Sequence, residues 1–415
     1  MKTPTTFLFN VKPLSSFIFL LILTACNASA PPSAIKTNAP AIKNTPAPSA
    51  TAILEPTPQN TSAALAPESA TLPEAINAPL VDSPSISIIK ALDEIYGWGA
   101  TDTQIVRTND GGATWYDVTP AGIKETGYSV GVDFLDRDHA WIQVPDPNNQ
   151  NGGAMYRTSD GGLTWASSAT PFGGGDISFV DANNGWMMAN LGVGAGSMAV
   201  SVFQTSDGGA TWKRAFTNDP NLDGAGESLP LGGLKNMIVP LNSKTAWIGG
   251  VVYSPGVAYL YRTDDSGRTW SQVNLALSLE AKNSDLAIYQ IKFVSPTQGF
   301  LALKVAFNNL QTVIYATNDG GATWSPAPAK IPSAGMLEIP SVQEMIMYNS
   351  DQFYVTKDAA KTWSIVPPDV AFGESLTNMS FINSATGWGV VADPSGRRKL
   401  YKTNDGGATW FPIIP

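Results

Sequence analysis

Seven copies of one eight-residue pattern, Thr-x-Asp-x-Gly-x-Thr-Trp, limit what this chain can fold into. They start at Thr108, Thr158, Thr205, Thr263, Thr317, Thr356 and Thr403. Six keep every defining position, and the box from Thr356 to Trp363 has Ala360 where the others have glycine. Their aspartates are Asp110, Asp160, Asp207, Asp265, Asp319, Asp358 and Asp405, spaced 39 to 58 residues apart. A unit recurring at this length marks a repeat architecture, in which each repeat buries its apolar face against the next.

The residues between boxes repeat as well. A short β-rich run comes first, as in Val132 to Leu135, Ile177 to Val180, Ile291 to Val294 and Met379 to Ile382. A polar turn follows, then a small residue and an aromatic: Gly97-Trp98, Ala140-Trp141, Gly185-Trp186, Ala246-Trp247, Gly299-Phe300 and Gly387-Trp388. A third run enters the box, and the box tryptophan opens a fourth. Four short strands with turns between them make one propeller blade, so residues 86–415 predict an all-β, seven-bladed β-propeller. The sixth repeat departs twice, with Ala359-Ala360 in its box and Met345 to Tyr348 in place of the Gly-Trp strand. A positive φ at Ala360 would make that blade the least stable.

The box reads as a turn. Its aspartate can accept backbone N–H groups as in an Asx turn, glycine supplies angles that a Cβ resists, and tryptophan covers the neighbouring blade. Calcium binding needs six to eight oxygens, and each box brings one carboxylate, apart from Asp264-Asp265 in the fourth. No metal and no cofactor is expected.

The N-terminus reads as an address. Lys2 and Lys12 precede an apolar run from Phe17 to Leu23, then Leu23-Thr24-Ala25-Cys26. That run suits a signal peptide and is too short for an ordinary membrane-spanning helix. Leu-Thr-Ala-Cys resembles the bacterial lipobox, which implies cleavage after residue 25 and lipidation of Cys26. The expected location is the extracytoplasmic face of a bacterial membrane, with acyl chains on Cys26 entering the bilayer. Cys26 is the single cysteine, so no intrachain disulfide is available. Residues 26–85 are rich in Ala, Pro, Ser and Thr and nearly free of aromatics, which predicts a disordered tether.

The repeat unit resembles two known families. The boxes are similar to the BNR or Asp-box repeat of sialidases, sortilin-like receptors and some endoglucanases. The whole unit, a Phe-Val-Asp-like strand, Gly-Trp and then Thr-x-Asp-Gly-Gly-x-Thr-Trp, resembles the Ycf48/Hcf136-like photosystem II assembly factors over Ile86 to Pro415. That resemblance implies an exported propeller that binds a protein or a membrane protein complex. Those factors carry a basic, arginine-rich patch, whereas this chain has eight arginines and a net charge of -9. Arg107, Arg157, Arg262 and Lys402 precede boxes and could form a broken basic ring at the box end. An acidic chain is a poor partner for nucleic acid.

Strand order puts the Gly-Trp turns and the boxes at one end of each blade. The long connections fall at the other end, where binding residues usually sit on a rigid scaffold. Tyr253, Phe307, Arg397 and Arg398 are the contacts expected there. Binding rather than catalysis is the expectation, with a carbohydrate-binding or glycoside-hydrolysing propeller as the alternative. The arginine-bearing first-blade motif of sialidases is absent from Ile86 to Gly99. One histidine, His139, leaves a Ser-His nucleophile little support. Asp133, Asp176, Asp181 and Glu344 lie near the first strands, without a pairing the sequence can assign.

Overall fold

The computed structural model describes residues 76–414, apart from residue 307 and the side chain of residue 150. Cys26, Phe307, the signal segment and most of the expected tether lie outside the described residues. The rest belongs to one unit spanning 70–415.

The strands form seven consecutive four-stranded antiparallel meanders. The first runs Ile88–Ala91, Gly97–Ala100, Ile105–Thr108 and Trp115–Asp117. The second runs Gly131–Phe134, Ala140–Asp146, Asn149–Thr158 and Ala166–Thr170. The third is Gly175–Phe179, Gly185–Gly194, Ser197–Thr205 and Lys213–Thr217. The fourth is Leu234–Pro240, Ala246–Val251, Tyr259–Thr263 and Ser271–Gln272. The fifth is Asp285–Phe293, Gly299–Ala306, Leu310–Thr317 and Ser325–Ile331. The sixth is Met336–Glu338, Met345–Tyr348, Phe353–Thr356 and Ser364–Val366. The seventh is Leu376–Phe381, Gly387–Ala392, Arg398–Thr403 and Phe411–Pro412. The fourth and fifth share one sheet through a single pair, Val251 opposite Ala287.

Packing explains the glycine before the aromatic in the third, fifth and seventh meanders. Phe179 pairs with Gly185, Phe293 with Gly299 and Phe381 with Gly387. A Cβ on Gly185 or Gly299 would lie 2.5 or 2.6 Å from the facing phenylalanine ring, closer than atoms approach. The aromatics that follow are buried, and their clusters bridge adjacent meanders. Burying one such ring contributes about 2–3 kcal/mol.

The seventh meander packs against the first. Ile89, Val106 and Trp115 share a cluster with Trp388, Val390 and Leu400. The Ile89 amide donates to Asn378 Oδ1 at 3.1 Å, and the Ala91 amide to Ser380 Oγ at 3.0 Å. All four strands of the seventh meander come from the C-terminal part of the chain, so closure is by side-chain contact and not by a shared strand. The folded part begins before the boundary expected at residue 86. Leu80–Val81 form a short strand on the outer edge of the first meander, opposite Tyr116 and Trp115. A two-residue strand has no periodicity to read, and the free edge of Trp115–Asp117 supplies its partner.

Candidate functional site

Each box closes on itself through the same bonds. In the first, the Thr108 hydroxyl donates to Asp110 Oδ1 at 2.9 Å and accepts the Gly112 amide at 2.9 Å. Asp110 Oδ1 accepts the Thr114 amide at 2.8 Å and Oδ2 accepts its hydroxyl at 2.6 Å. The sixth box makes the same set around Asp358, including the Ala360 amide to Thr356 Oγ1 at 3.1 Å. The Thr323 hydroxyl and then its amide hold the Asp319 carboxyl down to about 2. The Thr362 hydroxyl and amide do the same for Asp358, also to about 2. These carboxylates serve their own turns.

The sequence did not reveal a second turn that locks each box. An Asx- or Ser-type turn joins the first two strands of every meander, as where Asp93 Oδ1 accepts the Ile95 and Tyr96 amides. A carbonyl of that turn accepts a box amide: Gly111 N–H to Ile95, Gly161 to Asp138, Gly208 to Asn183, and so on to Gly406 and Ala385. The polar turn before each Gly-Trp was the available signal.

Three of the box-end cations, Arg107, Arg262 and Lys402, lie over the tryptophans across from them. Arg107 is buried, stands 5.3 Å from the Trp98 ring, and donates to the Gly161 carbonyl at 3.0 Å. Arg262 stands 5.3 Å from Trp247 and donates to Asp264 at 2.7 Å. Lys402 stands 4.7 Å from Trp388. Arg157 donates to Ser168 Oγ at 3.4 Å and lines a cleft with His139, Trp141 and Asp207. Arg262 and Lys402 pack on their own meanders, and Arg107 also ties its meander to the box of the next, a geometry that favours bracing.

The first strands bring charges from five meanders to a common axis. Lys90, Asp133, Asp176, Lys292 and Glu338 act on one another electrostatically. Burial pushes the Asp133 carboxyl up to about 6, against the Phe179 amide and Lys90. Burial pushes Asp176 to about 6 as well, opposed by the Ile238 amide and reinforced by Asp133. Each carboxylate also ties its meander to the next: Phe179 N–H donates to Asp133 Oδ2 at 2.6 Å and Ile238 N–H to Asp176 Oδ2 at 2.7 Å. Ser380 and Asn378 fill the same bracing role at the seam of the first and seventh meanders. Asp181 caps its own turn through the Asn183 and Asn184 amides, and Glu344 holds Ser384 at 2.5 Å.

Tyr253, Arg397 and Arg398 lie at the end opposite the boxes, so the structure does not gather them with Arg107, Arg157 and Arg262. Tyr253 is 72% exposed. The Arg397 amide donates to Asp393 Oδ1 at 3.1 Å. The Arg398 guanidinium donates to Asp102 at 3.0 and 3.1 Å, and its amide to Ser85 Oγ at 3.1 Å. That last bond closes the seam between the seventh meander and the start of the first. Sequence reasoning passed over Lys235, whose buried ammonium donates to the carbonyls of Met198, Leu231 and Gly233 at 2.9, 2.9 and 3.0 Å.

Solved structures similar to this one are propellers. A GH74 xyloglucanase from Xanthomonas campestris is 13% identical with a TM-score of 0.55, over 81% of this chain and 55% of that one. The chain therefore spans about half of the xyloglucanase. YCF48 bound to a D1 peptide is 17% identical with a TM-score of 0.49, over 80% and 96% of the two chains. YCF48 from Cyanidioschyzon merolae is 16% identical with a TM-score of 0.44, over 69% and 86%. No protein-family model and no curated protein matches the chain. With an all-β chain of four-stranded antiparallel meanders and the xyloglucanase as a neighbour at a TM-score of 0.55, the fold is a β-propeller.

Proposed function

We propose that this chain is a lipid-anchored, extracytoplasmic propeller of seven blades that binds polypeptide, as a scaffold or assembly factor for a membrane complex. The observation that carries the reading is the distribution of exposed apolar side chains. Of the twelve large apolar side chains exposed among the described residues, Tyr128, Val193, Leu231, Tyr253, Leu279 and Leu310 stand on connections between meanders, on second-to-third-strand loops or at the strand ends that flank those loops, against Ile95 and Leu163 at the box end. Strand order puts all six at the end opposite the boxes. Apolar groups concentrated on loops of a rigid scaffold suit protein contact. Attachment through Cys26 and a tether up to the strand at Leu80 agrees with such a role.

A second reading, glycan binding or hydrolysis, draws on Asp133 and Asp176, two interacting carboxylates with pKa values raised to about 6. Hydrolysis by two carboxylates needs both free to act on a sugar bond. Here each accepts a backbone amide of the next meander, which weighs toward binding.

The test is cross-linking of the full chain in its native membranes, capture, and mass spectrometry. Recurrent recovery of one membrane complex supports the proposal. Recovery of envelope glycan without protein, together with release of reducing sugar that Asp133→Asn abolishes, transfers the assignment to the second reading.

A further inference from the structure

We infer that the box-end cleft between the third and fourth meanders binds a small phosphorylated, hydroxyl-rich ligand of the sugar-phosphate class. The cleft holds about 420 Å³ and is lined by Lys213, Arg214, Lys244 and Arg268, with no carboxylate in its walls. Lys213 and Arg214 open the last strand of the third meander, Lys244 stands on the first turn of the fourth, and Arg268 in its box. All four are exposed, and none makes an ion pair among the described residues. The equivalent clefts carry mixed charge. The one between the second and third meanders sets Arg157 and His139 against Asp207, and the one between the sixth and seventh sets Lys357 against Asp358 and Asp405. Four cations without an acid are thus particular to this cleft and not a product of the repeat.

The acids nearby are turned to other tasks. Asp207 and Asp265 close their own boxes, and Asp264 is held by the Arg262 guanidinium at 2.7 Å and the Thr245 hydroxyl at 3.1 Å. Asp223 and Glu227 are exposed on the connection that passes Arg214, but they line no part of the cleft. Arg214 donates there to the Asp223 carbonyl, at 2.6 Å. The walls are joined before any ligand arrives. The Ser243 carbonyl accepts Gln204 Nε2 at 3.0 Å and the Ser266 hydroxyl at 3.1 Å, and Trp186 Nε1 donates to the Asn242 carbonyl at 3.1 Å. Such pre-ordering lowers the entropic cost of association.

The lining selects the ligand. A phosphate monoester brings about two negative charges and three acceptor oxygens, which two guanidinium forks and two ammonium groups can share. The Ser206 and Ser243 hydroxyls line the cleft and make no hydrogen bond among the described residues, so they are available to a hydroxylated body. The volume falls within the roughly 300–1,000 Å³ of small-molecule sites. With a net charge of -9, the chain repels a long polyanion as a whole, so a short ligand is the better match to one local cluster of bases. The cleft lies at the box end, apart from the apolar side chains of the loop end opposite.

The experiment is isothermal titration calorimetry of the full chain in detergent with glucose 6-phosphate, glucose, inorganic phosphate and dextran sulfate. Glucose 6-phosphate should bind with a Kd of about 1 mM or tighter, inorganic phosphate more weakly, and glucose not at all. Added salt should weaken the binding. Lys213→Gln or Arg268→Gln should each weaken it by about tenfold, as for loss of one charge-assisted hydrogen bond. Lys361→Gln, in the sixth box, should leave it unchanged. Circular dichroism establishes that each variant folds, and the ranking of ligands on the unaltered chain decides the inference without any variant. Equal binding of glucose, equal binding of inorganic phosphate, tighter binding of dextran sulfate, no binding of glucose 6-phosphate at about 10 mM, or loss in Lys361→Gln as large as in Arg268→Gln overturns it. Capture of a polypeptide client from native membranes is read separately, so this site and the polypeptide-binding reading can each fail alone.

Discussion

Ala360 and Phe300 share one buried cluster, and each is an exception to the repeat. In the third, fourth and fifth boxes the second glycine, Gly209, Gly267 or Gly321, faces the second-strand tryptophan of the preceding meander. A Cβ on Gly267 would lie 2.9 Å from Trp186, and one on Gly321 would overlap Trp247. Ala360 carries that Cβ at φ 62 and is fully buried, and the aromatic before it is the smaller phenylalanine. A methyl in one blade is accommodated by a smaller ring in its neighbour.

The pair should therefore be coupled. Phe300→Trp alone should destabilise by about 1–3 kcal/mol through overpacking. Ala360→Gly alone relieves a left-handed strain of about 1–2 kcal/mol and removes a buried methyl of similar worth, so its net effect should be small. The double variant should recover most of the loss. Denaturant unfolding of all four proteins measures this, and strict additivity would show that the two positions do not touch.

Stability should peak in mildly acidic solution. The Asp319 and Asp358 carboxyls are held down to about 2, so their contribution is complete above the ordinary value of 3.8 and fades as pH falls through 2. Asp133 and Asp176 run the other way. Their raised values, about 6, give a contribution complete below 3.8 and lost as pH rises through 6. A melting-temperature profile should rise to about pH 4 and decline toward pH 6. Asp133→Asn should flatten that decline and stabilise the protein at neutral pH on the order of 1 kcal/mol. A profile rising steadily from pH 4 to 7 contradicts the half-buried placement of these groups near one another.

The seam between the first and last meanders should be sensitive to one ring. Trp388 Nε1 donates to the Gly111 carbonyl at 2.8 Å, across 277 positions of sequence. Trp388→Phe removes that bond and part of a buried ring, and should cost about 2–4 kcal/mol. Hydrogen exchange should quicken first in Ile88–Ala91 and Leu376–Phe381. Uniform acceleration across all meanders would mean that the seam is no weaker than the rest.

Lys235→Met should keep the packed stem and lose the ammonium. The Met198 and Gly233 carbonyls lose a buried donor, a cost of about 1–3 kcal/mol. Limited proteolysis should then cut within residues 218–233 while the boxes stay protected. Unchanged cleavage there would deny the clamp its role.

The repeat pattern was legible because its residues act locally. Thr108, Asp110, Gly112 and Thr114 satisfy one another within seven positions, so type and spacing suffice to read a turn. The Gly-Trp signal was legible because Phe179 lies directly against Gly185. Contacts between meanders were not. Trp98 Nε1 reaches the Asp136 carbonyl and Trp141 Nε1 the Gly208 carbonyl, each at 2.8 Å, and backbone acceptors leave no mark on composition. The Asp133 and Asp176 ties depend on which first strands become neighbours. Lys235 looked like any strand lysine until the loop ending at Gly233 folded over it. At the candidate site the sequence indicated Tyr253 and the loop end, but not the joining of its loops.

The most direct test places a photo-cross-linking residue at Tyr253, and separately at Leu163, in the full chain within its native membranes. Cross-links from position 253 to a recurrent protein partner, with position 163 silent, are the predicted result. A partner captured equally from position 163, or from there alone, would contradict docking at the loop end.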